Sequence, residues 1–254
     1  MLLRVGFIID GKALSVFEHW LITQILKRKD LFASPVLVIN TAKTPGKMTF
    51  FARWLYRLIY SFEVLRLRRK TEYKNFGYKF PARELQLNTH SVKPTCYGNK
   101  KCLQRLNESD LLQIKGLNLD VLVHLGSGIL RGDILNITRF GVLGIHPGNN
   151  RFYRGSPAGF WEIYDKNAES GFIIQQLTET LDAGHVLHRE VLPTQNSWVL
   201  NKVKIQEKAY PALLQVLYDL ALSETLPSSE EDKKYSKEIR KHPKLRQLIQ
   251  YIFD

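Results

Sequence analysis

The first forty residues alternate between strand-like and helix-like hydrophobic patterns. Residues 3–9 form a short apolar run with β-branched members, which predicts a buried strand. Ser15 precedes a stretch with apolar side chains at three- and four-residue spacing, which predicts a capped helix through Leu26. Residues 35–40 form a second apolar run. Strand, helix and strand in this length indicate a βαβ unit, and hence an α/β fold with a parallel sheet.

The same alternation returns after residue 106. Helical patterns occur at 108–114, 133–138, 157–165 and 202–222, and strand patterns at 119–125, 141–145, 170–177 and 186–192. We therefore expect a Rossmann-like, mostly parallel sheet flanked by helices. Residues 1–222 form one predicted domain, and residues 223–254 a charged C-terminal tail or docking helix.

Residues 50–70 have a different character. Apolar side chains recur at three- and four-residue spacing through Leu65, while Arg53 and Arg57 lie off that stripe. This pattern predicts an amphipathic, aromatic-rich, basic helix. Such a helix either lies on an anionic membrane surface or packs its apolar face on the domain. Residues 71–106 are predicted to be irregular or short-stranded.

The positive charge of the chain is concentrated in one segment. The sequence has 37 Lys and Arg against 24 Asp and Glu, a formal net charge of +13. Residues 41–105 alone hold 15 basic and three acidic side chains, so we interpret them as a basic insertion. An anionic partner is expected to meet this segment. The alternative is a solvated surface that aids solubility.

Composition limits the class of protein. With 254 residues, 44% hydrophobic and 24% charged, the chain is expected to be globular. No apolar run reaches the ~18 residues of a membrane span, and Asp10 interrupts the N-terminal run before a signal peptide could develop. Cys96 and Cys102, with His90, lack zinc-site spacing, so no metal is predicted. We expect a cytoplasmic protein with reduced thiols.

Chemically capable residues follow three predicted strands. His124 precedes a glycine-rich turn, His146 precedes a proline, and Asp182 lies in the loop after residues 170–177. Ligands bind beyond the carboxyl ends of parallel strands. A carboxylate beside an imidazole raises its pKa and fixes its orientation, and such a pair can stabilise an oxyanion and move protons.

Residues 144–187 resemble the folate-dependent formyltransferases, which include glycinamide ribonucleotide, methionyl-tRNA and sugar N-formyltransferases. The family pattern is Asn-x-His-Pro, an aromatic-basic-Gly-x-x-Pro run, Glu-x-Gly and Asp-x-Gly. The matching residues are Ile145-His146-Pro147, Tyr153-Arg154-Gly155, Pro157, Glu169–Gly171 and Asp182-Ala183-Gly184. The order of strands matches over roughly residues 1–40 and 106–222. The resemblance implies the formyltransferase fold, with residues 1–222 as its catalytic domain.

The resemblance also implies roles for individual residues. His146, made more basic by Asp182, would donate to the oxyanion formed when an acceptor amine attacks a formyl carbon, and Asp182 would help remove the amine proton. The donor would be N10-formyltetrahydrofolate, held between the segment Leu125–Leu130 and the loop Thr178–Asp182. The residues expected to bind it are Leu125, Gly126, Gly128, Leu130, Thr178, Thr180 and Leu181. The acceptor side would be shaped by Asn149, Tyr153, Arg154 and Gly155.

One position departs from the family pattern. Gly144 stands where the family has Asn, whose side chain donates to the oxyanion. Loss of one such donor typically lowers turnover by ~10²–10³. We hypothesise that Asn149 or Asn150 turns inward to replace that amide. The alternative is that both asparagines solvate a loop.

A second candidate subsite follows the first predicted strand. Gly11, Lys12 and Ser15 lie between that strand and its helix, where backbone N–H groups and helix polarity can bind phosphate. The spacing is not that of a P-loop, so the signal is weak.

These features predict an N-formyltransferase acting on a small anionic amine. A nucleotide-linked amino sugar is the preferred acceptor, and a lipid-phosphate-linked amino sugar is next because of helix 50–70. Methionyl-tRNA is less favoured, because residues 223–254 are too few for the C-terminal barrel domain of such enzymes; RNA contact through the basic insertion and oligomer formation stay open. The alternatives are a formyltetrahydrofolate hydrolase, in which Gly144 admits water, and a non-catalytic binding protein with the same fold.

Overall fold

The computed structural model describes residues 2–42, 48–97, 103–126, 128–228 and 234–253. The described strands are β1 (Val5–Asp10), β2 (Ala13–Leu14), β3 (Val36–Asn40), β4 (Phe80–Pro81), β5 (Asn88–Val92), β6 (Thr95–Tyr97), β7 (Leu103–Arg105), β8 (Val121–His124), β9 (Ile129–Leu130), β10 (Val142–His146), β11 (Glu169–Gln176) and β12 (His185–Pro193). The helices are α1 (Val16–Lys27), α2 (Phe50–Arg68), α3 (Glu108–Gly116), α4 (Trp161–Tyr164), α5 (Trp198–Ser223) and α6 (Leu245–Phe253). Short 3-10 turns lie at Thr71–Tyr73, Ala82–Leu85 and Asp133–Asn136.

Seven strands form the central sheet in the order β12-β11-β10-β8-β1-β3-β5. The five strands from β10 to β5 run parallel, and β11 and β12 are antiparallel to their neighbours. The chain leaves β1 toward β3 and β5, then returns to β8 and β10 on the other side of β1. The strand order therefore reverses between β1 and β8, where open α/β sheets bind their ligands. The predicted mostly parallel, Rossmann-like sheet is confirmed.

Helices cover both faces of this sheet. On one face, α1 and α5 bury the main apolar cluster, which includes Phe7, Leu21, Phe172 and Leu213. On the other face, Ile114 of α3 packs in a second cluster with strand residues of β1, β3, β8 and β10. The predicted cap of α1 is confirmed, because Ser15 Oγ accepts a hydrogen bond from the Glu18 backbone N–H and the Glu18 carboxylate accepts one from Ser15 N.

The segment predicted as a basic insertion contributes one strand to the central sheet. Residues of β5 lie in register beside β3, from Asn88 opposite Val36 to Val92 opposite Asn40. Short strands were expected in residues 71–106, but the place of β5 in the central sheet was not predicted, because β5 lies at the sheet edge, where most of its side chains are exposed and polar. The domain boundaries at residues 41, 105 and 222 stay predictions.

The helix predicted over 157–165 is shorter than expected. Only one helical turn, Trp161–Tyr164, forms there. Gly159 has a φ of +74°, and a Cβ on it would lie 2.9 Å from the backbone nitrogen of Lys202 in α5. The close approach of α5 therefore requires a glycine at position 159. Its positive φ is incompatible with a regular helix, so the helix begins only after it.

The segment 234–253 docks on the domain. Helix α6 packs against α2, and Leu248 is fully buried between them. Before α6, the Ser156 N–H donates to the Arg240 carbonyl, and the Arg240 N–H donates to the Arg154 carbonyl. This segment therefore lies beside the loop that follows β10. Within the described ranges, no helix combines the length and the apolar content needed to cross a bilayer.

Candidate active site

His146 ends β10 and is buried with both ring nitrogens close to oxygen atoms. Its Nδ1 lies 3.3 Å from Asp182 Oδ1, and its Nε2 donates to the Tyr153 carbonyl oxygen at 2.9 Å. A carbonyl and a carboxylate only accept hydrogen bonds, so this arrangement favours the doubly protonated imidazolium. The structure thus brings together the His146 and Asp182 that the sequence analysis paired.

The surroundings shift the pKa values of this pair in opposite directions. Burial opposes the charged form of His146, but the negative charge and hydrogen bond of Asp182, with the Tyr153 carbonyl, raise the pKa of His146 above its usual value. Burial alone would raise the pKa of Asp182; the charge and hydrogen bond of His146, with the Gly155 N–H, lower it instead. The two groups therefore form a buried ion pair.

Asp182 is held from its backbone as well as its side chain. Its backbone lies in the left-handed region, with φ of 51°. Its Oδ2 accepts a hydrogen bond from the Gly155 N–H at 2.9 Å, and its carbonyl accepts one from Asn150 Nδ2 at 3.0 Å. Both side-chain oxygens of Asp182 therefore have partners, which fixes the carboxylate toward His146.

The guanidinium of Arg154, a residue expected to shape the acceptor side, binds backbone carbonyls of the protein. It is buried, and its Nε and Nη2 donate to the Leu181 carbonyl while Nη1 donates to the Ser236 carbonyl at 2.7 Å. Its guanidinium also stacks on the Tyr235 ring. Arg154 therefore clamps the Asp182 loop to the C-terminal segment, because its planar fork can satisfy two backbone carbonyls at once.

The packing of the C-terminal segment at Arg240 requires a glycine at position 155. Its φ is +104°, and a Cβ at this position would lie 2.1 Å from the Arg240 carbonyl oxygen. The Arg-Gly pair of the motif thus joins three segments rather than presenting a surface to a substrate. Tyr153 contributes its carbonyl to His146, and its hydroxyl accepts a hydrogen bond from Asn167 Nδ2.

Asn149 and Asn150 are both buried, so the alternative that they solvate a loop is wrong. Arg189 on β12 donates from Nη1 to the side-chain oxygens of Asn149 at 2.6 Å and Asn150 at 2.9 Å. The Asn150 amide is committed to the Asp182 carbonyl. These asparagines support the Asp182 loop. Arg189 was missed in the sequence, where nothing distinguishes it from other strand cations.

Gly144 leaves no open space for a side chain. A Cβ on Gly144 would lie 3.2 Å from Leu177 Cδ2, so Leu177 fills the position that an asparagine side chain would take. The strand neighbour of Gly144 is Gln175, which is buried and accepts a hydrogen bond from the Gly184 N–H. Leu177 therefore packs where the asparagine of the family pattern would place its side chain.

A second carboxyl group lies near the pair and was also missed. Glu162 of α4 is 2% exposed, and its Oε1 has no hydrogen-bond partner among the described residues. Burial raises the pKa of Glu162 to about 7, while the positive charge of His146 lowers it. The signal in the sequence is an acid within the apolar run 160–163, a position where a charge is costly.

His124 at the end of β8 has the opposite environment to His146. Its Nε2 is shielded from solvent and has no hydrogen-bond partner in the described part of the chain. Burial lowers the pKa of His124 to about 4, against the influence of Asp10. A Cβ on Gly126 would lie 2.7 Å from Asp10 Oδ1 and 3.1 Å from His124 Nε2. These residues surround the point where the strand order reverses.

The two segments expected to hold a donor lie next to each other. Arg131 Nη1 donates to the Thr178 carbonyl at 3.3 Å, and Arg131 Nε lies 3.4 Å from Glu179 Oε2. Leu125, Gly126 and Leu181 are half-buried and Thr180 is exposed. Leu130 is instead buried in the second apolar cluster, and Gly128 is buried where a Cβ would collide with Gln104. Ser127 lies outside the described residues.

The N-terminus of α1, which follows the loop after β1, is already occupied by protein groups. Ser15 and its N–H are committed to the capping box with Glu18, which places a negative charge at the start of α1. The Gly11 N–H donates to the Asn40 carbonyl. Lys12 is exposed, and the backbone that follows it pairs as β2 with β4. An anion would therefore meet an occupied helix terminus.

The sequence of the chain is similar to curated methionyl-tRNA formyltransferases. It is 28% identical over 142 residues to the enzyme of Ehrlichia ruminantium (strain Welgevonden), covering 55% of this chain and 46% of that relative. It is 30% identical over 131 residues to the enzyme of Deinococcus radiodurans, covering 50% of this chain and 40% of the relative. The chain thus spans less than half the length of the curated relatives it matches. No protein-family model matches it.

Solved structures extend the similarity to the whole fold. Glycinamide ribonucleotide transformylase 1 from Symbiobacterium toebii superposes with a TM-score of 0.60 at 14% identity, covering 87% of this chain and 89% of that structure. A sugar N-formyltransferase from a Shewanella species superposes with a TM-score of 0.59 at 16% identity, covering 95% of this chain and 77% of that structure. The chain therefore has the formyltransferase fold, and its sequence resembles the formyltransferase family.

Proposed function

We propose that this protein is a folate-dependent N-formyltransferase. The observation that carries the proposal is the buried ion pair of His146 and Asp182, 3.3 Å apart at the carboxyl end of a parallel strand. The similarity to methionyl-tRNA formyltransferases, over 131 to 142 residues, supports the same reaction.

In this proposal His146 holds the proton that stabilises negative charge on the transferred formyl oxygen. The nitrogen of the acceptor amine would bond to the formyl carbon as the bond between that carbon and N10 of the donor breaks. Asp182 raises the pKa of His146 and accepts the proton that the amine loses, directly or through a water molecule, and that proton would end on N10 of the departing tetrahydrofolate. The His146 ring must exchange its hydrogen bond to the Tyr153 carbonyl for one to the substrate oxygen. Gly144 offers no side-chain donor, so His146 carries more of this stabilisation than in the family pattern.

The residues present fit N10-formyltetrahydrofolate, which would supply an electrophilic formyl carbon when bound. The fit rests on the buried Nε2 of His124, which has no hydrogen-bond partner among the described residues and offers a hydrogen bond to a polar ligand group. Leu125, Gly126, Thr178, Thr180 and Leu181 would hold it between the two segments that Arg131 joins. Gly128 and Leu130 are buried, so they would support the donor-binding residues without contacting the donor.

The proposed acceptor is a small anionic molecule with a primary amine, most simply a nucleotide- or lipid-phosphate-linked amino sugar. The exposed Lys12 stands at the end of β1, beside the strand reversal, where it can attract a phosphate without the α1 terminus. Asn149, Tyr153, Arg154 and Gly155 act in this proposal by holding the Asp182 loop rather than by contacting the acceptor.

The test is formyl transfer followed by mass spectrometry. The protein is incubated with N10-formyltetrahydrofolate and, separately, nucleotide-linked amino sugars, glycinamide ribonucleotide and methionyl-tRNA. We expect one amine to gain a formyl group, and His146→Asn to abolish the gain. If every amine stays unmodified while tetrahydrofolate still raises the melting temperature, the proposal of catalysis is wrong and donor binding alone survives.

One observation favours a second candidate, a binding protein that retains the fold. Both nitrogens of His146 are engaged by protein oxygens, which would suit a purely structural imidazole. Unchanged ligand binding in His146→Asn, together with no transfer by the unsubstituted protein, would support this candidate. Hydrolysis of formyltetrahydrofolate is less favoured, because Leu177 fills the space beside Gly144 that would have admitted water.

A further inference from the structure

Helix α2 exposes a continuous apolar stripe. Its members follow each other at three- and four-residue spacing, so they share one face of the helix. They are Phe51, Trp54, Leu58, Phe62 and Leu65, each between 51% and 69% exposed. Contiguous exposed apolar surface of this kind marks interaction sites in soluble domains.

The stripe is not the face that holds α2 to the domain. Ala52 and Ile59, on another side of the helix, are buried in a cluster with Trp198 of α5 and Leu248 of α6. Glu63, the one acid of α2, points inward: its Oε2 accepts a hydrogen bond from the Val199 N–H at 2.7 Å. The helix is therefore already docked, and the stripe is a second apolar face.

The exposed surface extends from α2 onto α6. A groove between the two helices is lined by Leu58 and Phe62 on one side and Ile252 on the other. Ile252 and Phe253 at the end of α6 are 51% and 85% exposed. We name Phe51, Trp54, Leu58, Phe62, Leu65 and Ile252 the α2–α6 face.

Positive charge surrounds the α2–α6 face. Arg66, Lys70 and Lys166 line the same groove, and Arg57 is exposed on the flank of α2. Helix α6 contains Arg246 and no acid. The fit is therefore to a partner that is apolar and anionic at once.

We propose that the α2–α6 face binds the surface of an anionic lipid bilayer, with its apolar side chains inserted at the level of the headgroups. An amphipathic helix with aromatic and leucine residues flanked by arginine suits this interfacial position. Leu58, Leu65 and Ile252 cannot stack on bases, which disfavours single-stranded nucleic acid. A second copy of the chain would bring like charges together, which disfavours self-association.

The test uses vesicles of phosphatidylcholine with and without phosphatidylglycerol. We expect the protein to sediment with the vesicles that contain phosphatidylglycerol, and added salt to weaken that binding. Leu58→Ser with Phe62→Ser should weaken binding roughly tenfold or more, because both side chains lose their burial in lipid. Leu112→Ser with Leu222→Ser is the matched control, since these equally exposed leucines lie elsewhere and should leave binding unchanged.

Trp54 provides a direct readout of insertion. It is exposed, whereas Trp161 and Trp198 are buried and Trp20 is half-buried against the main apolar cluster, so lipids brominated in their acyl chains should quench mainly Trp54 fluorescence. Trp54→Phe should remove the quenching and keep the binding. Failure to bind vesicles, equal loss in the Leu112/Leu222 control, or binding without quenching overturns the proposal. Two other results would also overturn it. One is that the protein is a dimer which dissociates in the Leu58/Phe62 variant. The other is that the protein binds RNA but not vesicles, and that the Leu58/Phe62 variant no longer binds RNA.

Discussion

His146 and His124 end neighbouring parallel strands, yet their surroundings give them opposite chemical character. His146 has an acceptor at each nitrogen, one of them the Asp182 carboxylate, and its pKa is raised. His124 Nε2 has no partner within the described ranges, and burial lowers the pKa of His124 to about 4. The same residue type at the same place in a strand is thus a cation in one case and neutral in the other. Burial therefore keeps a strand-end histidine neutral unless a carboxylate at hydrogen-bond distance outweighs it.

Neutralising Asp182 is expected to have the largest effect on the difference between the two histidine pKa values. In Asp182→Asn, His146 loses its counter-charge while its burial remains, so its pKa should fall below the usual value. We expect formyl transfer to fall ~10²–10⁴-fold, the range of a lost acid–base partner. Turnover is compared with that of Asp30→Asn, an exposed carboxylate that precedes β3 and so lies at the opposite edge of the sheet from the carboxyl ends of the strands. Equal turnover in the two variants would remove Asp182 from the mechanism.

The second change strains the residue whose backbone N–H donates to Asp182. In Gly155→Ala, a Cβ meets the Arg240 carbonyl oxygen at a residue whose φ is +104°. We expect a loss of about 2–4 kcal/mol in the free energy of unfolding, measured by urea denaturation. Gly116→Ala is the control, because no atom outside its own helix turn lies within 4 Å of the place that a Cβ on Gly116 would take. A similar small effect at both glycines would show that the C-terminal segment does not constrain the loop.

The third change concerns the carboxyl group beside the pair. The pKa of Glu162 is raised from 4.5 to about 7, so the folded state keeps a proton that the unfolded chain has lost. Stability is therefore fully present below the unfolded value and is lost as pH rises through about 7. Glu162→Gln removes this loss, so its free energy of unfolding relative to the unsubstituted protein should rise by about 2 kcal/mol between pH 5 and pH 8.

Thermal unfolding across this pH range measures the effect. The ion pair itself gives a different profile: the Asp182 contribution is lost as pH falls through its lowered pKa, and the His146 contribution as pH rises through its raised pKa. A pH-independent difference between Glu162→Gln and the unsubstituted protein would show that Glu162 is ionised throughout.

The smallest expected effect is at His124. In His124→Phe no hydrogen bond to Nε2 is lost, so we expect the free energy of unfolding to change by less than about 1 kcal/mol. Tetrahydrofolate binding, followed by calorimetry, should weaken roughly tenfold if Nε2 meets the ligand. Unchanged affinity would place the ligand away from the end of β8.

The sequence predicted what depends on local pattern and failed where distant segments meet. The apolar runs identified β1, β3, β8 and β10, and the spacing of motifs paired His146 with Asp182. The polar edge strand β5 had no apolar signal. The contacts of Arg154 were not predicted, because its partners are backbone carbonyls of Leu181 and Ser236, which no motif encodes.

The predicted replacement of the family asparagine shows the same limit. Sequence proximity suggested Asn149 or Asn150, but the side chains of both are bound by Arg189 from β12. Leu177, which fills the space beside Gly144, follows β11 and is 33 positions away in a chain of 254. Which side chain enters a given space depends on strand pairing, and the register of β10 and β11 becomes visible only in the structure.

Titration of the two histidine rings by NMR tests the central claim most directly, since one sample contains both. His146→Asn and His124→Phe assign the two resonances. We expect His146 to stay protonated at pH values above the usual imidazole pKa of ~6.5, and His124 to stay neutral until the pH falls to about 4. Two rings that titrate together near the usual value, or in the reverse order, would contradict it.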